Sequence, residues 1–274
     1  MHLNRTRSLL LTLWLFVMAA PFVSALIVAL SVSAEHGSRK LQLSWATALS
    51  NFSSVVSGGD TPYEFAVSFG TSSVLCLAAA LITVATALPL AHILGTRWRS
   101  WLWAAAAVAI GARVVPVTAP LPVFETCSRI LHMPNSWILV IALYTLLLLP
   151  LACALLSAAP WPQFDLNLKF LAMDAPVSVS GAISQALKAL GPDVRITAAA
   201  VFLLTWCDFV ISSFFLPTGD STLSRLLANK QGFLGTQWGK LGAGIIISTL
   251  PVVAAIMVIS RALRTRVRLS HDQA

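Results

Sequence analysis

The clearest shortage in this sequence is of charged side chains. Asp, Glu, Lys and Arg together make up 10% of the 274 residues, whereas soluble domains carry about 25%. Hydrophobic residues make up 57% of the chain, and the mean hydropathy is +0.83. Because so few charges cannot cover a water-facing surface, we expect most of the protein surface to face lipid.

The sequence also lacks the patterns of catalytic, nucleotide and metal sites. There is no P-loop GxxxxGK[ST], no HExxH and no CxxC. The scattered candidates for ligands and nucleophiles are Cys76, Cys127, Cys153, Cys207, His2, His36, His92, His132 and His271. We therefore predict no catalytic residue, no metal site, no disulfide framework and no bound cofactor, and we interpret the cysteines as small packing residues.

The net charge of +8 would also suit a protein that binds nucleic acid. The basic residues, however, flank the apolar runs, where Lys and Arg set the orientation of membrane helices. We therefore predict a lipid bilayer, and no nucleic acid, as the partner of these charges.

Long apolar runs predict an all-α integral membrane protein that forms one domain over residues 1–274. Each run is about long enough to cross a hydrocarbon core of ~30 Å. The six predicted spans lie near residues 9–30, 65–94, 101–123, 137–156, 196–216 and 241–259. A cleaved signal peptide is the alternative for the first, because Arg5 and Arg7 suit both interpretations.

The distribution of Lys and Arg predicts that both termini lie in the cytosol. The basic tail RALRTRVRLS, which begins at Arg261, is the strongest single indicator of this orientation. Residues 31–64 and 217–240 then become external loops, with a short interfacial helix at Ser44–Val56 in the first. Residues 157–195 become a cytosolic loop.

Two short helices are predicted in the cytosolic loop. The first, Asp165–Met173, mixes charged and apolar residues. The second, Ser178–Leu190, is predicted to end at Gly191-Pro192, because a C-cap glycine followed by proline commonly stops a helix.

An acid lies within the fifth predicted span. Asp208 follows Trp206-Cys207 in an otherwise apolar run, and a charge in hydrocarbon is costly unless it faces water or a partner. Asp208 therefore either lines a polar cavity or pairs across helices, or else it lies close enough to the end of the span to reach the interface.

Several motifs resemble the permease subunits of bacterial type I ABC importers, in the carbohydrate class that includes the maltose and glycerol-phosphate systems. The segments LSWATALSNFSSVV and EFAVSFGTSSV are similar to the first external loop and second helix of that class, and HMPNSW is similar to the entry of its fourth helix. PDVRITAAAVFLLTWCDF resembles its fifth helix, with Trp206, Asp208 and Phe209 in place, and the segment that ends in QWGKLGAG resembles its approach to the last helix.

This resemblance implies a six-helix permease that performs no chemistry itself. The implied partners are a second, homologous permease in a heterodimer, two cytosolic subunits that bind ATP, and an extracytoplasmic solute-binding protein, all at the bacterial inner membrane. The coupling motif of the family would fall on Lys169, Phe170, Leu171, Asp174 and Ala175, of which only Asp174 agrees with the family pattern. The alternative is that this segment lies on the lipid interface.

A pathway for a hydroxyl-rich solute needs polar side chains within the spans. The candidates are Thr83, Thr205, Asp208 and Ser212. Two other functions remain open: a secondary transporter driven by an ion gradient, which would place ionisable residues deep in several spans, and a membrane scaffold that transports nothing.

Overall fold

The described part of the chain is helical. The computed structural model describes residues 23–30, 45–57, 62–95, 101, 103–104, 106–107, 111, 125–126, 129–130, 136–159, 161, 179–217, 221–229 and 238–271. Its helices are α1 (Trp45–Ser57), α2 (Pro62–Gly95), α3 (Trp137–Ser157), α4 (Val179–Trp206), α5 (Val210–Phe215), α6 (Leu223–Asn229) and α7 (Trp238–His271). Residues 23–30 form a further helical segment.

Three of these helices are long and apolar enough to cross a membrane. Their candidate spans are Phe65–Ile93 in α2, Trp137–Ser157 in α3 and Gly239–Arg266 in α7. They coincide with the predicted runs at 65–94 and 137–156, and the last one extends beyond 241–259. The protein is thus an α-helical membrane protein, while most of the predicted spans 9–30 and 101–123 lies outside the described residues.

The chain divides into two compact units. One comprises residues 1–70 and 222–251, and the other comprises residues 71–221 and 252–274. Because α2 and α7 continue through the boundaries at 70 and 251, each of these helices contributes to both units.

In the first unit, small residues let helical segment 23–30 approach α7 closely. Ala25 and Ala29 are buried and one helical turn apart. A Cβ atom added at Gly242 would lie 2.7 Å from the Ala25 carbonyl oxygen and 2.8 Å from the Ala29 nitrogen. Membrane helices that lack a hydrophobic force between them commonly associate through such small-residue contacts.

The same unit contains α1, which confirms that a helix forms near the predicted Ser44–Val56; its interfacial position stays a prediction. Buried Asn51 of α1 donates a hydrogen bond from Nδ2 to the Ala29 carbonyl oxygen at 3.0 Å. The Asn51 amide also lies beside Gly239, where a Cβ atom would collide with it. One side chain therefore connects α1, helical segment 23–30 and the start of α7.

The second unit is built around α3. Ser136 caps α3 by accepting a hydrogen bond from the Leu139 nitrogen at 3.1 Å, and the helix packs against α4 and α5. Small buried residues of α2, among them Ala80, Ala87 and Ala91, belong to the same apolar core as Leu148, Leu156 and Val201. Buried Cys153 donates a hydrogen bond from Sγ to the Ala87 carbonyl oxygen at 3.8 Å, so it packs as the sequence analysis expected.

The prediction that a helix ends at Gly191-Pro192 is wrong, because α4 runs through both residues from Val179 to Trp206. A proline within a helix removes a single backbone hydrogen bond and can be retained where neighbours hold the helix. Asp193 is buried against other helices here. The Arg195 side chain also donates a hydrogen bond from Nε to the Gly191 carbonyl oxygen at 3.0 Å.

The predicted span at 196–216 contains two helices rather than one. α4 ends at Trp206, residues 207–209 are not helical, and α5 begins at Val210. Hydropathy cannot reveal such a break, because the residues on both sides of it are equally apolar.

The segment 217–240, predicted as an external loop, contains a helix that the sequence analysis did not predict, namely α6. The hydroxyl of buried Thr222 accepts a hydrogen bond from the Arg225 nitrogen at 3.4 Å. A threonine before the apolar run LSRLLA is a helix-start signal, so this helix could have been found from the sequence.

Replacing Gly242 with alanine tests the close approach of α7 to helical segment 23–30. The new methyl group would collide with backbone atoms, which cannot rotate away, so we expect a loss of about 1–3 kcal/mol in stability. The measurement is the midpoint of thermal unfolding of the purified protein in detergent. Gly70→Ala is the matched control, because nothing lies within 4 Å of a Cβ atom at Gly70. Equal midpoints for the two variants would contradict the packing described here.

Candidate functional site

A short break in the helix surrounds Asp208. The last turn before the break tightens, because the Asp208 nitrogen donates to the Thr205 carbonyl oxygen at 3.1 Å. Beyond the break, the Ile211 nitrogen donates to Asp208 Oδ2 at 3.0 Å. The carboxylate thus caps the start of α5, where unpaired N–H groups favour a negative charge.

Tyr144 of α3 holds the same carboxylate. Its phenolic oxygen donates to Asp208 Oδ2 at 3.0 Å, and the tyrosine side chain is 1% exposed. Since an unpaired carboxylate in an apolar setting is costly, this pairing explains how the span tolerates Asp208. Of the interpretations open from the sequence, the structure shows the one in which Asp208 pairs across helices.

Sequence reasoning missed Tyr144. The residue lies 64 positions from Asp208 along the chain, so no local spacing connects the two. The available signal was compositional: the chain contains 2 tyrosines, and one of them interrupts an otherwise aliphatic span. A buried phenol normally needs a hydrogen-bond partner.

The other predicted pathway residues fall into two groups. Thr205 and Ser212 lie on either side of the break, and both hydroxyl groups are buried and bonded to carbonyl oxygens of their own helices. Thr83 of α2 is fully buried, and its hydroxyl has no hydrogen-bond partner among the described residues.

Thr83 lies at a different level from the break. Cys76 of α2 lies beside Thr205, and Thr83 is about two turns, or ~10 Å, further along α2. Tyr144, Thr205, Asp208 and Ser212 therefore form one polar cluster, which we call the Asp208 cluster, and Thr83 is not part of it.

A groove on the outer face of α2 and α3 differs in character from this cluster. Its lining is almost entirely apolar and comprises Ile82, Thr86, Ile138, Ile141, Ala142, Thr145, Leu146 and Leu149. Most of these are aliphatic side chains, and Ile82, Ile138 and Leu146 are strongly exposed. Such a surface suits lipid chains or another apolar helix, and it offers little to a hydroxyl-rich solute.

A second polar cluster lies at the opposite end of the α3–α4 pair. Arg266 of α7 contacts Asp193 Oδ1 at 2.9 Å and donates to the Ala158 carbonyl oxygen at 2.6 Å. We call these three residues the Arg266 clamp. Burial raises the pKa of the Asp193 carboxyl above its ordinary value, although the charge of Arg266 acts to lower it.

The ends of α2, α3 and α7 and the middle of α4 meet around the Arg266 clamp. Besides the contacts of Arg266, the ring of His92 near the end of α2 lies 4.9 Å from the ring of Trp161. The Trp161 indole also donates to the Leu156 carbonyl oxygen at 2.9 Å.

Going from the Asp208 cluster to the clamp, the chain runs forward along α3, from Tyr144 to Ala158, and backward along α4, from Asp208 to Asp193. The two helices are therefore antiparallel. At 1.5 Å of rise per residue, the two clusters are ~20 Å apart.

The predicted coupling residues Lys169, Phe170, Leu171, Asp174 and Ala175 lie outside the described residues. Among the residues that the structure does describe, no three His, Cys, Asp or Glu side chains are grouped so that they could hold a metal ion. Both the coupling role and the predicted absence of a metal stay predictions.

Comparison with known proteins places this chain near a transport permease. The sulfoquinovosyl glycerol transport system permease protein SmoH of Agrobacterium fabrum is 28% identical over 144 residues, which are 52% of this chain and 50% of SmoH. The alignment thus spans about half of each protein. No family model matches the chain. A helical membrane protein similar to a permease fits the expectation of a non-catalytic transport subunit.

Variants of Tyr144 and Asp208 test the Asp208 cluster. Asp208→Ala removes the acceptor of the hydrogen bonds from Tyr144 and from the Ile211 nitrogen, at a cost of about 1–3 kcal/mol. Asp208→Asn retains an acceptor oxygen and should cost less. The measurement is again the midpoint of thermal unfolding in detergent.

A double-mutant cycle supplies the control. Tyr144→Phe should lower the midpoint in the wild-type chain, and it should have little effect when Asp208 is already alanine. If the effects of the two variants simply add, the hydrogen bond between them contributes nothing.

Proposed function

We propose that the chain is the permease subunit of an ATP-driven ABC importer and that it carries a sugar or sugar-derived solute. The observation that carries this proposal is the similarity to SmoH, whose name states that it belongs to a transport system for sulfoquinovosyl glycerol. The motifs that resemble carbohydrate importers support the proposal as well. An extracytoplasmic binding protein delivers the solute.

The arrangement of helix ends supports a six-span topology. If the six predicted spans alternate in direction, the ends of α2, α3 and α7 and the first half of α4 share one side of the membrane. Their representatives His92, Trp161, Asp193 and Arg266 are in fact in contact with one another in pairs. The positive-inside rule favours the cytosol for this side, and we propose the bacterial inner membrane as the location, with both termini inside.

The chain contributes a path through the membrane, and its partners contribute the energy. Two cytosolic subunits bind and hydrolyse ATP, and a second, homologous permease completes the pathway as a heterodimer. The ATP-binding subunits act on the cytosolic loop 157–195, with Phe170 and Leu171 as apolar anchors in a groove of the partner and Lys169 at its rim. Asp174 and Ala175 complete this coupling segment.

The Asp208 cluster is the part of the pathway that this chain supplies. Discontinuous helices within membranes expose backbone groups and helix ends to a solute, and transporters commonly place their sites there. Oδ2 of Asp208 accepts hydrogen bonds from Tyr144 and from the Ile211 nitrogen. An ionised carboxylate only accepts hydrogen bonds, which is the chemistry that suits the hydroxyl donors of a solute.

Co-purification distinguishes this proposal from its two rivals. We expect a tagged chain, extracted from its native membrane in mild detergent, to retain an ATPase and a second multi-span permease. A secondary transporter or a scaffold would be recovered alone or as a homo-oligomer. Recovery of a homo-oligomer without any ATPase would contradict the proposal.

Replacing residues 169–175 with a Gly-Ser linker tests the coupling segment. In vesicles that contain the complete complex, we expect the linker to abolish ATP-dependent uptake of the labelled solute, because the ATP-binding subunits lose their contact with the chain. Candidate solutes are sulfoquinovosyl glycerol, maltose and glycerol 3-phosphate. The matched control places the same linker in the external loop, at residues 32–38, and should retain uptake. Uptake that survives the replacement at 169–175 would rule out coupling through this segment.

A further inference from the structure

The Arg266 clamp connects parts of the chain that are far apart in sequence. One guanidinium group from α7 reaches both the carboxylate of Asp193 in α4 and the carbonyl of Ala158, the residue that follows α3. The two contacts use different nitrogen atoms of Arg266. A planar guanidinium group with five donors suits such a double contact, which the single ammonium of a lysine would not reproduce with the same geometry.

Each contact gives a partner to a polar group whose burial without a partner would destabilise the fold. Asp193 is 4% exposed, so its carboxylate is almost entirely removed from solvent. The last carbonyls of a helix have no partner within that helix, and the Ala158 carbonyl at the end of α3 is in this position. Removing Arg266 would leave both groups without the donor they have now, and breaking a buried pair from one side is strongly destabilising.

The position of the clamp in the chain suggests what it does. Ala158 directly follows α3, and Asp193 lies in the middle of α4, the next described helix after the predicted coupling segment. The same side chain of α7 holds both residues, so a displacement of α4 or of the end of α3 pulls on Arg266. Without the clamp, the described contacts that join α3 to α4 at this level are those of the apolar core, such as Leu156, Trp161 and Leu190.

We propose that Arg266 is a positioning residue that makes α7 move together with α4 and the end of α3 when the cytosolic loop is displaced. This inference rests on the proposed function, since the displacement is supplied by the ATP-binding subunits. The clamp acts as a link between helices and does not contact solute or nucleotide. The neighbouring Arg264 is exposed and takes no part in the clamp.

The first experiment tests the clamp in the purified chain alone. Arg266→Ala should lower the midpoint of thermal unfolding in detergent clearly more than the matched control Arg264→Ala. Asp193→Asn should also lower the midpoint. Arg266→Ala should lower the midpoint less in the Asp193→Asn variant than in the wild-type chain, because the buried charge of Asp193 is already gone. Equal effects of Arg266→Ala and Arg264→Ala would overturn the proposal.

The second experiment measures the coupled movement in the assembled transporter. Spin labels at Arg195 of α4 and Leu263 of α7, both exposed, report the distance between these helices in a background without other cysteines. This distance is compared between the nucleotide-free complex and the complex that is trapped with ATP and vanadate. In the otherwise unchanged chain we expect this distance to stay constant, because the two helices move as one body.

In the Arg266→Ala variant, we expect the same distance to change between the two states by more than about 2 Å, the size of helix shifts at moving interfaces. Arg266→Lys retains the charge and should show a smaller change in this distance. It is used in place of the alanine variant if the alanine variant does not assemble. A role in stability alone would lower the unfolding midpoint and leave the distance equally constant in every variant, which would overturn the proposal. If no ATPase assembles with the unaltered chain, the proposed function fails and the coupling role fails with it, whereas the first experiment still reports on the clamp itself.

Discussion

The structure depends on how a lipid-facing chain satisfies its few buried polar groups. The helix α4 and the break after it carry two acids, Asp193 and Asp208, and each is paired with a side chain from a different helix. A buried carboxylate without a partner is costly, so each acid requires a specific partner. Tyr144 joins α3 to the break after α4, and Arg266 of α7 joins the middle of α4 to the end of α3, so the apolar packing between α3 and α4 is left little freedom of register.

Close helix packing supplies what the polar pairs do not. Lipid chains are as apolar as leucine, so burial of leucine does not by itself join helices within a membrane. This chain instead places alanine and glycine where its backbones approach, as at Gly242 against Ala25 and Ala29 in one unit and at Ala87 beside Cys153 in the other. Large aliphatic side chains such as Leu81 and Ile256 remain exposed, as expected where a helix faces lipid.

The two polar clusters are suited to different tasks. The Asp208 cluster surrounds a discontinuity between two helices, where backbone groups and a carboxylate come together. The Arg266 clamp lies ~20 Å away along the same helix pair, and it joins α7, the middle of α4 and the end of α3. In the proposed permease, the first cluster supplies a polar path and the second a mechanical connection, and α4 runs from one to the other.

Composition and hydropathy alone determined that this is an α-helical membrane protein. A charge content of 10% is too low to cover a water-facing surface, and the apolar runs are long enough to cross a bilayer as helices. Local patterns also predicted α1 and the apolar spans within α2 and α3. The continuation of α4 through Pro192 and its interruption at residues 207–209 were decided by tertiary structure. Both depend on neighbours that lie far away in sequence, as do the partners Tyr144 and Arg266. Hydropathy averages over the side chains of one segment, whereas a buried carboxylate is paired by whichever helix the fold brings beside it.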